Sequence, residues 1–175
     1  MHKTTILSLV ILCATASAFA QPDPIPTDKE IKAFETVKIS LAEAIRIAAN
    51  KHRDARVVEV RFDSQAGQLA YKVRTYQDNN VWEGAVDAWT GQIIGDGTTT
   101  PVSKLDEEDQ LELAGLQKAS IELAAATALA EEKGSGKAIS ADLEETNGRI
   151  VYEITIVNNG AIKKLVVDPR TGQLK

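Results

Sequence analysis

Asp87 and Asp168 have the strongest claim to chemistry in this chain, each standing three residues before a Thr-Gly pair. Acids in a repeated motif could hold a cation or move a proton. A short acceptor just ahead of a glycine is also what a tight turn uses, and the turn is the reading carried forward. His52 ends a helical run between Lys51 and Arg53. With no cysteine or second histidine near it, it reads as a charge at a helix C-terminus rather than a ligand or a base. A Ser-His-Asp system would have to recruit that histidine, and no Gly-x-Ser-x-Gly elbow surrounds any serine. The run Asp106-Glu107-Glu108-Asp109 lacks the glycine and alternating Asp/Asn of a calcium loop, so it reads as a solvated helix start. No catalytic residue, cofactor site or metal site is expected.

The chain opens like an exported one. Lys3 precedes an apolar run from Ile6 to Cys13, and Ala18-Phe19-Ala20 fits a cleavage site, so cleavage after Ala20 is expected. Leu12 stands where lipidation at Cys13 would want a small residue. The apolar run is shorter than the ~20 residues a spanning helix needs, so no stable membrane insertion is expected after cleavage. Beyond Ala20 there is no cysteine, and stability must come from packing rather than disulfides. Of the 20 basic residues only Lys3 is lost, which leaves 19 against 25 acidic ones, a net of −6. That balance argues against nucleic acid as a partner.

The elements that must position these residues occur twice. Gly67, Tyr71, Asp87 and Gly91 recur 81 positions later as Gly148, Tyr152, Asp168 and Gly172. An internal duplication is the first thing to read. After a proline-rich tether (Gln21 to Pro26), Thr27 with Glu30 and Ser40 with Glu43 are capping boxes. Leu41, Ala44, Ile45 and Ala48 form one apolar helix stripe. Three runs of period two follow, around Val58 to Phe62, Leu69 to Thr75 and Val81 to Val86, and read as an antiparallel meander. Gly95 to Pro101 reads as a linker unable to continue a central strand. Ser103 reopens helix. Ser120, Ala124 and Ala128 then answer Ser40, Ala44 and Ala48 at an offset of 80, with an extra residue at Gly134-Ser135-Gly136 restoring 81. The expected division is a leader over 1–20, a first repeat over 21–97 and a second over 98–175.

Ser-x3-Ala-x3-Ala, Gly-x3-Tyr-x-(Val/Ile) and a closing Asp-x-x-Thr-Gly resemble the PepSY domain in both copies. The resemblance implies an α+β fold of two tandem cystatin-like αβββ repeats, each a helix packed on a three-stranded antiparallel sheet. It also implies an exported, periplasmic or secreted, non-catalytic protein that binds an envelope protein, with a peptidase restrained in trans as the candidate partner. A small-ligand or metal-ion sensor and a structural accessory of a membrane assembly are the rivals. Outer strand positions of the first repeat carry Arg61, Lys72 and Arg74, with Trp82 and Trp89 nearby. Basic residues beside tryptophans suit an interface. The plainer alternative is a solvated sheet face with the tryptophans packed inward. Tyr71 and Tyr152 read as core, and Asp87, Gly91, Asp168 and Gly172 as structural turn residues.

Overall fold

A computed structural model describes residues 25–64 and 67–175. The expected leader, its cleavage site, Cys13 and most of the tether lie outside the described residues, as do Gln65 and Ala66 of the first turn.

Both predicted capping boxes form. Thr27 caps α1 (Asp28–Phe34) and Ser40 caps α2 (Leu41–Lys51), each exchanging hydrogen bonds with the glutamate three residues on. These bonds satisfy donors that a helix N-terminus otherwise leaves to water. Leu41, Ala44, Ile45 and Ala48 are the buried stripe of α2. Three antiparallel strands follow, β1 (Arg56–Asp63), β2 (Ala70–Gln77) and β3 (Asn80–Asp87). The second half has α3 (Glu107–Leu116), α4 (Leu123–Gly134), β5 (Lys137–Thr146), β6 (Arg149–Asn158) and β7 (Ala161–Val167).

The stretch Gly95 to Pro101 is not a linker. It belongs to a strand, β4 (Ile93–Pro101), paired antiparallel with β3. Three threonines suit a strand, the proline sits at its end, and an edge position spares it the missing N–H. The glycines take up the irregularity: the pairing shifts between Glu83 and Ala85, and Gly97 has φ +71°. A Cβ on Gly97 would stand 2.4 Å from the Glu83 carbonyl oxygen. Glycine here permits a bulge rather than ending the strand.

The two sheets join into one of seven strands in the order β4-β3-β2-β1-β5-β6-β7. β1 and β5 pair antiparallel, with Val60 opposite Ala141, flanked by Glu59 opposite Asp142 and Arg61 opposite Ser140. Val60 and Ala141 are equivalent residues of the duplication, so the central pair brings the same position of both repeats face to face. One uninterrupted core results. Helices α2 and α4 lie side by side on one face of the sheet, covering Val60, Val73, Ala141 and Ile154, none more than 1 % exposed.

The helix register of the repeat differs from the sequence expectation. Buried in α4 are Leu123, Ala126, Thr127 and Ala130, the counterparts of Leu41, Ala44, Ile45 and Ala48 at an offset of 82, while Ala124 and Ala128 are exposed. The second helix-to-strand connection is therefore shorter, and nothing is inserted there. An alanine-rich run offers several registers, and Thr127 hides its equivalence to Ile45. Its hydroxyl is buried but donates to the Leu123 carbonyl at 2.8 Å, which removes the cost of its polarity. Ser120 is not a cap; Glu122 holds that position. The same offset of 82 relates Ile31 and Phe34 of α1 to Leu113 and Leu116 of α3, all buried. The duplicated unit is two helices and three strands.

Candidate partner-binding face

Asp87 and Asp168 do the same work in the two repeats. Asp87 Oδ1 accepts from the N–H groups of Trp89 (2.9 Å) and Thr90 (2.8 Å), and Asp168 Oδ1 from those of Arg170 (2.8 Å) and Thr171 (3.2 Å). Backbone donors hold both carboxyls below the ordinary aspartate range. Gly91 and Gly172 follow with φ +71° and +72°. A side chain at Gly172 would find room, its nearest neighbour being Ile121 Cδ1 at 3.8 Å, so only the backbone resists it. Gly172→Val is expected to cost roughly 1 kcal/mol, seen as a lowered melting temperature. An unchanged one would show that the glycine is not required for its conformation.

Tyr71 and Tyr152 are fully buried under the helices. Tyr71 donates to the Ile39 carbonyl (2.7 Å) and Tyr152 to that of Ile121 (3.0 Å). Each thus ties the segment entering its helix to the middle strand of its repeat. Desolvation raises both phenols, that of Tyr152 to about 12. The loops beneath are held in parallel fashion, Lys38 and Ile39 donating to the Ala88 carbonyl, Ser120 and Ile121 to that of Pro169.

The five candidate interface residues do not form one surface. Strand register puts Arg61, Lys72 and Arg74 on the sheet face opposite α2, and Trp82 on the helix face opposite Thr75. Trp82 is 5 % exposed, its ring 5.0 Å from that of His52 and its Nε1 donating to the Asp96 carbonyl at 2.9 Å. His52 caps α2, and that aromatic contact is its setting. Trp89 lies in the closing turn, 45 % exposed, with Lys38 Nζ 4.7 Å from its ring centroid. Lys72 pairs with Asp63, and Arg61 stands 3.6 Å from Asp142 and 3.9 Å from Glu59.

Arg74 is the organising residue of the open face. Its guanidinium grips Asp109 with two bonds of 3.0 Å and reaches Glu83 at 3.1 Å and Glu59 at 3.4 Å. A bidentate fork onto a carboxylate is the strongest pairing of this type. Asp109 belongs to the acidic run read from the sequence as solvated. Asp106 does cap α3, accepting from Asp109 N at 2.9 Å, but the Asp109 side chain is spent on β2. Next along α3, Glu112 accepts from Glu145 N at 3.1 Å. Burial first, then the charge of Glu144, pushes its carboxyl up to about 8. The sequence names Asp109 only as part of a solvated acidic run and does not mark Glu112, because an ion pair spanning 35 positions leaves no local pattern. Among the described residues, no cluster of three or more His, Cys, Asp or Glu could hold a metal ion.

A model of the family described as peptidase propeptide and YPEB domain, PepSY, matches residues 38–96 and again 118–174, more than half of the chain. The chain belongs to the PepSY family. Both matches begin at the segment pinned by the buried tyrosine and run through the Thr-Gly turn, so the PepSY unit coincides with the duplicated αβββ core. The α+β fold and the tandem arrangement expected from the motifs hold. What they did not convey is the fusion of both sheets into one. No curated protein matches the chain. Among solved structures it is similar to one from Clostridium difficile 630 that carries a provisional lipoprotein assignment, at 23 % identity and a TM-score of 0.44 over 79 % of this chain and 91 % of that one.

Proposed function

We propose that this tandem PepSY protein is exported to the bacterial envelope and acts there without catalysis, by binding a protein partner, with a peptidase restrained in trans as the candidate. The observation that carries the reading is how the candidate chemical groups are used. Asp87 and Asp168 accept hydrogen bonds from their own turns, Tyr71 and Tyr152 staple loops, and His52 packs on Trp82. Residues the sequence offers for chemistry are spent on the fold, whereas one sheet face carries pockets and charge. The family's peptidase-propeptide description supports a peptidase as partner.

The test is retention of an envelope protein by the immobilised mature chain through high-salt washing, followed by a peptidase assay on what is retained with and without added chain. The expected result is a retained peptidase whose activity falls when the chain is added. Thermal stabilisation by metals or small molecules, with no protein surviving the wash, would instead establish a sensor, since a ligand that binds only the folded state raises its stability.

A further inference from the structure

The open face carries two pockets at equivalent places in the two repeats, and they have diverged. In the first repeat the pocket, about 190 Å³, is lined by the Arg74 latch with Glu59 and Asp109, and Glu83 also pairs with Arg74. The duplication puts Thr155 where Arg74 stands, Ser140 for Glu59, Lys164 for Glu83 and Thr27 for Asp109. The cation and all three of its acids have gone together. What remains is a cavity of about 280 Å³ lined by apolar Ile25, Pro26, Phe62, Ile139 and Ile162, by Ser140 and Thr155, and also by the charged Glu30, Arg61 and Lys164. Ligand-sized pockets are of this kind, mostly apolar with a few placed polar groups.

The strand beside each pocket has also diverged. In the first repeat β4 runs along β3, beginning with Ile93 opposite Val86. Leu174, the counterpart of Ile93, makes the same start, bridging Val167 antiparallel, and Lys175 N donates to the Val166 carbonyl at 2.9 Å. Beyond that bridge no strand lies along β7 among the described residues. Val166 thus turns its carbonyl to the outer edge, and the period of two turns the backbone of Ile162 the same way. β7 is regular, whereas the outer edge of β4 is broken by the bulge at Gly95 to Gly97 and ends in Pro101. Val81 is completely buried, while its counterpart Ile162 is partly exposed at the mouth of the cavity.

We propose that an extended segment of the protein partner adds to the sheet along β7, in the place β4 occupies beside β3, and sets an apolar side chain into the cavity between Ile162, Phe62 and Ile139. Main-chain pairing supplies affinity and the pocket supplies selectivity, as in other strand-addition complexes. The proposal rests on the protein-binding reading above and names where that partner binds.

The probe is a displayed library of short random peptides, selected on the mature chain. Selected peptides are expected to carry an apolar residue within an extended, alternating stretch and to slow amide exchange at Ile162. Thr155→Arg, which places in this pocket the side chain found in its twin, is expected to weaken them about tenfold or more. Ile162→Lys is the second variant, at a partly exposed site, should the first fail to fold. Peptides that bind both folded variants unchanged, protection confined to other strands, or no binders at all would overturn the proposal. The two readings fail separately. A partner retained equally by wild type and Ile162→Lys leaves protein binding standing and removes the β7 site; no partner retained by wild type removes both.

Discussion

Arg74→Met is expected to destabilise the protein by about 1–3 kcal/mol, because it removes one side of a part-buried ionic cluster and leaves the acids behind. The side chain of Arg74 is 23 % exposed, and it faces Asp109, Glu59 and Glu83. Asp109 brings with it Glu108 and Glu112, which also line this pocket. Methionine keeps much of the aliphatic stem, so the change isolates the charge from the packing. The loss should appear as a lower urea midpoint and as faster proteolysis between Val102 and Lys118, the segment that Asp109 anchors to β2. Asp109→Asn alone should lose part of the same energy. The double variant should lose less than the sum, since the two residues share one interaction. Equal midpoints for wild type and Arg74→Met would mean that the latch is merely a surface arrangement.

That cluster shows where sequence reading stops. Strands, capping boxes, the Thr-Gly turns and the duplication were legible because each is encoded within a few residues, by a period of two, a serine three before a glutamate, or an aspartate before a glycine. The buried stripe of α2 was legible too, while that of α4 was misread by two positions because alanines give the period little contrast. Other features depend on residues far apart. The β1–β5 junction pairs positions about 80 apart, and nothing local in Val60 or Ala141 announces it. The sign of Arg74's role turned on Asp109. For Trp82 the inward-packed alternative holds, and alternation along its strand does not decide it, since Val81 and Trp82 are adjacent and both buried. β4 was missed for the opposite reason, its glycines being taken at face value as a break. The repeat itself held a usable signal. Setting Arg74, Glu59 and Glu83 against Thr155, Ser140 and Lys164 would have shown that a cation and its acids were exchanged as a group.

The same acidic crowding makes stability depend on pH in a definite direction. Glu112 keeps its proton up to about pH 8 in the folded protein, because its carboxyl is largely desolvated and faces Glu144 on β5 with Asp109 and Glu108 on its own helix. The backbone N–H of Glu145 opposes this shift without overcoming it. Arg74 and Glu59 lie in the same pocket, the guanidinium being engaged by Asp109 and Glu59. A carboxyl raised above its unfolded value binds its proton more tightly in the native state, so its contribution is complete at low pH and is lost as pH rises toward the folded value. Asp87, Asp168 and Glu43 are shifted the other way, and their contribution is already complete above the ordinary carboxylate range. The window from about pH 5 to about pH 8 therefore isolates Glu112. Wild type is expected to lose about 1–2 kcal/mol across it, after allowing for the solvent screening of a half-buried group. Glu112→Gln retains an acceptor for the Glu145 N–H but cannot ionise, so its urea midpoint should stay level over that range. The variant should match wild type near pH 5 and exceed it at pH 8. Parallel curves for the two proteins would show that Glu112 is already ionised at pH 5, and that the first turns of α3 tolerate their crowded acids without a proton.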